Sequence, residues 1–134
     1  MQDELDIRSQ YTKLMNVRHP FARLLSAWHQ KFHRDFHRLN MYVRKYGRTE
    51  IEKYEPYNSE SENVYSFEAF LTYVATSADM LNFDYHWQTM HFQCMPCEMG
   101  YDIVTMQETS ASDAVFVLEQ NQVTQVSILD FHTC

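Results

Sequence analysis

The apolar residues that follow Pro20 recur at intervals of three or four, which is the period of one helical face. Proline suits the first position of a helix, because its missing N–H would have no partner within the helix. Gly47 then offers a residue that adopts the left-handed conformation in which helices commonly end. The pattern predicts one long basic amphipathic helix from Pro20 to about Gly47, with a buried stripe of Phe21, Leu25, Trp28, Phe32, Phe36, Leu39, Val43 and Tyr46.

Shorter patterns on either side of that helix predict an α/β fold. The apolar run Leu14–Val17 predicts a buried strand, and the polar residues 48–63 predict a surface connection. Ser66 is a suitable N-cap for a second helix. Residues 101–106 predict another strand, and residues 110–119 a final helix. The order strand, helix, helix, strand, helix is typical of α/β proteins, here a long helix packed on a small sheet.

The composition limits the chain to a few classes of protein. Its 134 residues, of which 45% are hydrophobic, suffice for one core, and we treat residues 1–134 as a single unit. No stretch approaches the roughly 20 apolar residues of a membrane span, and the acidic start is unlike a targeting segment. Only two glycines occur, Gly47 and Gly100, so a glycine-rich phosphate loop is excluded.

Charge is divided unevenly along the chain. Residues 1–53 carry all 11 basic residues against 6 acidic ones, whereas residues 54–134 carry 12 acidic residues and no lysine or arginine. A basic first half suits an anionic ligand, while the acidic second half disfavours nucleic acid as a partner. A local anion site is therefore the better expectation.

The basic half places two arginines and a serine around the start of the predicted helix. Arg18 lies at the junction of strand and helix, where backbone N–H groups and the helix dipole favour an anion. Arg23 and Ser26 share a helical face opposite the apolar stripe, which predicts that both side chains stay free. A guanidinium and a hydroxyl can hold a phosphate together, but arginines on a helix are also typical of a solvated surface.

The segment from Val17 to Trp28 resembles the 3′-phosphate-binding motif of Golgi carbohydrate sulfotransferases, Arg-x-Pro-x-x-Arg-x-x-Ser followed by an aromatic residue. Further short motifs occur in the family's order and at similar spacing, so the resemblance covers about residues 14–123. It is closest to the chondroitin and dermatan 4-O-sulfotransferase branch. These motifs are Lys31-Phe32, Arg44-Lys45-Tyr46-Gly47, Phe67-Glu68-Ala69-Phe70, His86-Trp87-Gln88-Thr89, Cys94-Met95-Pro96-Cys97, Tyr101-Asp102-Ile103-Val104 and Glu108-Thr109.

The resemblance implies an activity, a donor and a location. The activity is transfer of sulfate from 3′-phosphoadenosine 5′-phosphosulfate to a hydroxyl of a chondroitin-like polysaccharide, on the lumenal side of the Golgi membrane. Arg18 and Ser26 would bind the donor's 3′-phosphate, and Arg23 would serve the acidic polysaccharide or the fold. The chemistry requires no metal, because in-line transfer needs only charge stabilisation and a base.

Two departures from the family's pattern bear on that implication. The family holds the 5′-phosphosulfate in an upstream strand-loop-helix element, but only 17 residues precede Arg18 here. The sequence therefore predicts the C-terminal, 3′-phosphate-binding part of a P-loop-like sulfotransferase fold, without the membrane anchor, and we expect the chain alone to transfer no sulfate. Position 19 is commonly acidic in such motifs, and His19 is a poorer helix cap.

Histidines and cysteines give an alternative interpretation. His86, His91, Cys94 and Cys97 are four potential zinc ligands within 12 residues, although their spacing is not that of a standard finger. A disulfide, either between Cys94 and Cys97 or from each of them to another cysteine in an oxidising lumen, is favoured over zinc, and two buried free thiols are the remaining alternative. A small zinc-stabilised module, or a non-catalytic interaction domain, is therefore the alternative to an enzyme.

Three further residues are candidates for binding the acceptor sugar. The indole of Trp87 would stack on a sugar ring and the imidazole of His86 would act on a proton, unless both residues pack in the core. Glu108 matches the Glu-Thr pair of the sulfotransferases and has either a positioning or a structural role. No residue is identified as the general base at this stage.

Overall fold

The computed structural model describes residues 11–77 and 83–121. They form two compact units. We call residues 19–77 with 83–95 the helical unit, and residues 11–18 with 96–121 the strand unit. The assignment of residues 1–134 to a single domain stays a prediction.

The first helix of the helical unit, α1, spans Pro20–Phe32 and begins at the proline, as predicted. It ends at His33, whose φ of −68° and ψ of 133° are those of extended backbone. His33 pairs with Asn63 in an antiparallel bridge. The amide of Asn63 also donates to the carbonyls of Trp28 and His29, at 3.3 and 3.1 Å, and thereby caps the last turn.

The prediction of one helix from Pro20 to Gly47 is therefore wrong in its second half. After His33 the chain turns and forms a short helix α2 at Leu39–Tyr42, a π-helical turn at Val43–Gly47 and a 3-10 turn at Ile51–Lys53. The predicted left-handed cap at Gly47 is also wrong, since the only glycine with positive φ in the described ranges is Gly100. Gly47 instead lies against the ring of Tyr65, where a Cβ would come within 2.5 Å of the hydroxyl oxygen.

The predicted buried stripe is only partly buried within α1. Phe21 and Leu25, both predicted in the buried stripe, are 64% and 47% exposed. Phe32, which also belongs to the predicted stripe, is buried as predicted, together with Ala27 and Lys31 of the same helix. The extended link after His33 breaks the helical period, so the stripe is not continuous along one face.

The remaining helices of the helical unit are α3 at Phe67–Thr76 and α4 at Met90–Cys94. The predicted cap at Ser66 is confirmed, because its hydroxyl accepts the Ala69 N–H at 3.2 Å. The segment predicted as a surface connection also contributes Ile51 to the interior. The core is unusually aromatic; it contains Ala27, Phe32, Leu39, Tyr42, Val43, Tyr46, Ile51, Val64, Tyr65, Ala69, Phe70, Tyr73 and Trp87.

The strand unit contains strands β1 at Leu14–Val17 and β2 at Ile103–Met106, which pair in parallel as a two-stranded sheet. Short helix α5 at Pro96–Met99 precedes β2. A 3-10 turn at Gln107–Thr109 and helix α6 at Ser110–Gln120 follow it.

Both predicted strands are confirmed, but β1 is not buried, because exposed and half-buried residues alternate along it. The α/β class is confirmed at the level of mixed helices and a small parallel sheet. Within the part of the chain that the structure describes, no helix has the length and apolarity to cross a membrane.

Candidate functional site

Arg18 directly follows β1 in the strand unit and is half-buried. Val17 is opposite Met106 in the parallel register, so Arg18 and the Gln107–Thr109 turn leave the sheet at the same edge. The carboxyl ends of parallel strands are the usual place for ligands in α/β sheets. Glu108 lies in that turn and is exposed, so two predicted site residues share this edge.

Ser26 lies in the second turn of α1, in the helical unit, and is half-buried. At the start of this helix, the side chain of His19 makes no capping hydrogen bond, and Pro20 occupies the first position. The first backbone N–H groups of a helix carry the positive end of its dipole, a condition that favours an anion. Arg18 belongs to one unit and Ser26 to the other, so their convergence on one phosphate stays a prediction.

Arg23 does not have the free side chain that the helical periodicity predicts. Its Nη1 donates to the backbone carbonyl of Gln88 at 2.6 Å, and its Nη2 donates to that of Tyr85. The Gln93 side-chain amide donates to the same Tyr85 carbonyl. Partial burial lowers the pKa of Arg23, and the nearby Cys94 opposes that shift. Of the two roles left open for Arg23, these contacts favour the fold, because the guanidinium fixes a loop.

That loop, residues 84–88, forms a tight turn around Asp84. The Asp84 carbonyl accepts the N–H groups of Trp87 and Gln88, at 3.0 and 2.9 Å. Its carboxylate accepts the His86 backbone N–H at 3.0 Å and also contacts Nδ1 of the same residue. The side chains of Asp84 and His86 are 11% and 22% exposed. Asp84 and His86 therefore form a partly accessible carboxylate–imidazole pair.

Trp87 lies in the aromatic core and is 3% exposed. Its ring packs edge-on against Tyr46 and Phe70, with centroids 4.9 and 5.4 Å apart. A buried ring has no open face for a sugar to stack on. The structure thus favours the core alternative for Trp87, although its neighbour His86 stays accessible.

Two further side chains give the Asp84–His86 pair its electrostatic surroundings. Tyr42 meets His86 edge-on at 6.4 Å, and burial, with help from Asp84, raises the pKa of Tyr42 to about 12. Lys31 is 7% exposed, and its Nζ lies 5.0 Å from the centre of the Phe36 ring. Burial lowers the pKa of Lys31, and Asp84 opposes the shift. Asp84 is therefore the negative centre of a largely aromatic environment.

Sequence reasoning missed Asp84. The signal was its position two residues before His86, a spacing at which an aspartate in a turn can bond both the backbone N–H and the side chain of the later residue.

The structure bears on the zinc and cysteine alternatives that the sequence left open for the histidine and cysteine cluster. His91 is exposed in α4, Cys94 ends that helix, and Cys97 is exposed in α5. Cys94 and Cys97 do not form a disulfide with each other. Residues 11–77 and 83–121 contain no group of three or more histidine, cysteine or acidic side chains placed to hold a metal ion. The zinc-stabilised alternative gains no support.

Helices together with a small parallel sheet define an α/β protein, and ligands of such proteins usually bind at the carboxyl ends of the strands. The sulfotransferase family model matches residues 2–131, and the chain belongs to this family. No solved structure matches the chain.

Relatives give the same family at the level of carbohydrate sulfotransferases. The chain is 35% identical over 114 residues to carbohydrate sulfotransferase 14 of Danio rerio, a match that covers 82% of this chain and 30% of the relative. It is 34% identical over 113 residues to carbohydrate sulfotransferase 9 of Homo sapiens, covering 81% and 25%. Identity to carbohydrate sulfotransferase 11 of Mus musculus is 33% over 116 residues, covering 81% and 32%. The matches thus span about a third or less of each of these relatives.

Proposed function

We propose that this chain is the C-terminal, 3′-phosphate-binding portion of a carbohydrate sulfotransferase. Its donor is 3′-phosphoadenosine 5′-phosphosulfate, and its acceptor is a hydroxyl of a chondroitin-like glycosaminoglycan on the lumenal side of the Golgi membrane. The observation that carries the proposal is the family match over residues 2–131. Arg18 and Ser26 at the motif's positions in the sequence support it.

Arg18 and Ser26 both bind the 3′-phosphate. The Arg18 guanidinium makes forked, charge-assisted bonds to two phosphate oxygens, and the Ser26 hydroxyl donates one more. The first N–H groups of α1 add the positive end of the helix dipole. A phosphate carries more negative charge than a hydroxyl, so the site distinguishes a 3′-phosphorylated nucleotide from one without that group.

The reaction resembles phosphoryl transfer. The acceptor oxygen attacks sulfur in line with the departing 5′-phosphate oxygen, while cations and amide groups stabilise the charge that spreads over the sulfuryl oxygens. A base removes the proton of the attacking hydroxyl. His86 and Glu108 are the residues of this chain that we assign to the acceptor side.

Nucleotide titrations followed by NMR test the donor site, because chemical shifts report binding even at dissociation constants near ~1 mM, which correspond to about −4 kcal/mol. We expect 3′,5′-adenosine bisphosphate to shift the backbone amides of Arg18, Phe21 and Ser26, and adenosine 5′-phosphate to shift them much less. Equal responses to the two nucleotides, or no response to either, would contradict the proposal.

Substitution of Arg18 sharpens the same test. Arg18→Ala removes hydrogen bonds to a charged group, so we expect affinity for 3′,5′-adenosine bisphosphate to fall by about 1.5–3 kcal/mol. Arg44→Ala is the matched control, since Arg44 is an exposed arginine of the π-helical turn and should leave affinity unchanged. Equal affinities of the Arg18 and Arg44 variants would remove Arg18 from the site.

A further inference from the structure

The loop that carries His86 is held by a residue that the phosphate-binding motif itself supplies. Arg23 lies in α1, three residues before Ser26, and its two Nη groups bond the carbonyls of Tyr85 and Gln88 on either side of His86 and Trp87. Two bonds from one planar guanidinium fix both the position and the orientation of the loop. The buried ring of Trp87 anchors the same turn in the core.

The second constraint on His86 comes from Asp84. An ionised carboxylate only accepts hydrogen bonds, so its contact with Nδ1 requires that Nδ1 carry the proton. In the neutral imidazole the lone pair is then on Nε2. Since the His86 side chain is 22% exposed, it remains accessible to a ligand.

We propose that Arg23 and Asp84 are positioning residues that hold His86 with an unprotonated Nε2 as the acceptor of the proton from the sugar hydroxyl. This inference rests on the proposed function. Arg23 links the phosphate-binding helix to the loop, and Asp84 selects the tautomer within the loop. Sequence periodicity had instead assigned Arg23 to an outward face.

The proposed step needs no reactant other than the sugar and the sulfate donor 3′-phosphoadenosine 5′-phosphosulfate. The sugar oxygen forms a bond to sulfur, and its proton passes to His86 Nε2, which gives an imidazolium. The bond from sulfur to the 5′-phosphate oxygen breaks, and that oxygen leaves with the electron pair as part of 3′,5′-adenosine bisphosphate. Asp84 stabilises the imidazolium through the Nδ1 contact.

The neighbouring titratable groups are less suited to this role. Burial raises the pKa of Tyr42 to about 12, so its phenol stays neutral and is a poor base near neutral pH. Lys31 is 7% exposed and lies over the rings of Phe36 and Tyr42, which leaves little of it accessible to an acceptor. His86 combines accessibility with a lone pair.

Imidazole nitrogen NMR on the full chain tests the role of Asp84 without requiring activity. At a pH at which the imidazole of His86 is neutral, we expect its Nδ1 to be protonated and its Nε2 to be unprotonated. Asp84→Asn should move it toward the Nε2-protonated form, because an amide can donate to Nδ1. Asp35→Asn is the control, as Asp35 is an exposed aspartate near His33. A wild-type His86 protonated at Nε2, or an unchanged tautomer in Asp84→Asn, would overturn the proposal.

Hydrogen exchange tests the role of Arg23. Arg23→Lys keeps the charge but replaces the planar fork by one ammonium, so we expect the amides of Trp87 and Gln88 to exchange about tenfold faster, which corresponds to about 1.4 kcal/mol. We expect the His86 tautomer to become mixed as well. Arg44→Lys should change neither observation. Unchanged exchange and an unchanged tautomer in Arg23→Lys would show that the fork does not position the loop.

The acceptor itself supplies the last measurement. Titration with a desulfated chondroitin tetrasaccharide should shift His86 Nε2 in the wild type, and the shift should shrink in Asp84→Asn. Absence of any shift at Nε2 would overturn the assignment of His86 to the acceptor. The two hypotheses fail separately, because Asp84→Asn should leave the response to 3′,5′-adenosine bisphosphate intact, whereas loss of that response in the wild type counts against the proposed function.

Discussion

The helical unit and the strand unit differ in how their residues are packed. In the helical unit, Phe32, Tyr65 and Phe70 are fully buried in an aromatic core. In the strand unit, Thr105 is the only described residue that is buried, while Val104 and Phe116 are 57% and 54% exposed. Burial of side chains is therefore the main stabilising contribution in the helical unit, and backbone hydrogen bonds are the main one in the strand unit.

The proposed site residues are divided between the two units. Arg18 and Glu108 belong to the unit with few buried side chains, whereas Ser26, Arg23, Asp84 and His86 belong to the unit with the aromatic core. Burial of a large apolar side chain contributes about 1.5–3 kcal/mol, so a well-packed unit holds a catalytic geometry more firmly than a hydrogen-bonded ladder does. Packing therefore fixes the loop that carries His86 more firmly than the turn that carries Glu108.

Phe32→Ala should have the largest effect on stability. The ring contacts Tyr65 and Phe70, with centroids 5.7 and 5.8 Å away, and its removal leaves a cavity in the centre of the core. We expect a loss of about 3–5 kcal/mol in the free energy of unfolding, measured by urea denaturation. Phe116→Ala in the strand unit should cost only about 0.5 kcal/mol, since that ring is mostly exposed. Similar losses in both variants would contradict the contrast between the units.

Gly47→Ala should cost about 1–3 kcal/mol, because a Cβ there would lie 2.5 Å from Tyr65 Oη and 2.7 Å from Cε2 of the same buried ring. The free energy of unfolding of the variant measures this cost. Gly100, in the strand unit, has the opposite constraint: a Cβ there would have 3.8 Å of space, but φ is +56°.

Asparagine tolerates the left-handed region, so Gly100→Asn should be milder than Gly100→Ala. Gly47→Asn should be at least as destabilising as Gly47→Ala. A neutral Gly47→Ala variant would show that Tyr65 moves aside at little cost.

Local signals in the sequence predicted helix starts well and the end of α1 poorly. Pro20 and Ser66 act through atoms within their own helices, so their effects can be read from neighbouring residues. The end of α1 depends on pairing with residues 62–64, including a bond from Val64 N to the Phe32 carbonyl at 2.9 Å. Periodicity contains no information on such a distant partner, and the predicted helix therefore continued to Gly47.

The candidate site shows the same limit. The motif that contains Arg18 and Ser26, together with the further motifs in the family's order, identified the family, because each of these motifs is a short stretch of sequence. The partners of Arg23 are backbone carbonyls more than sixty residues away, which no side-chain pattern specifies. The tautomer imposed on His86 likewise depends on the turn that brings Asp84 to it.

Ser66→Ala should destabilise the helical unit by about 1 kcal/mol, because it removes the cap of α3. The same substitution also removes the contact between the Ser66 hydroxyl and the Glu55 carboxylate. Thermal unfolding measures the change, and Ser110→Ala is the control at the first residue of α6, where the preceding Thr109 makes no side-chain cap. A larger loss of stability in Ser110→Ala than in Ser66→Ala would contradict the prediction that the cap of α3 contributes more than the start of α6.

Asp113→Asn should have the smallest effect and should appear only as a change in pH dependence. The Met106 N–H, at 2.9 Å, and then the Thr109 hydroxyl, at 2.7 Å, bond the Asp113 carboxylate and lower its pKa below the ordinary value of 3.8. A carboxyl group with a lowered pKa stabilises the fold above its unfolded-state pKa, and this contribution is lost as the pH falls through the folded-state pKa. The wild type should therefore lose stability on acidification below about pH 4 more steeply than Asp113→Asn, as measured by denaturation at several pH values. If the free energies of unfolding of the wild type and Asp113→Asn changed equally with pH, the bonds to the Asp113 carboxylate would not stabilise the strand unit.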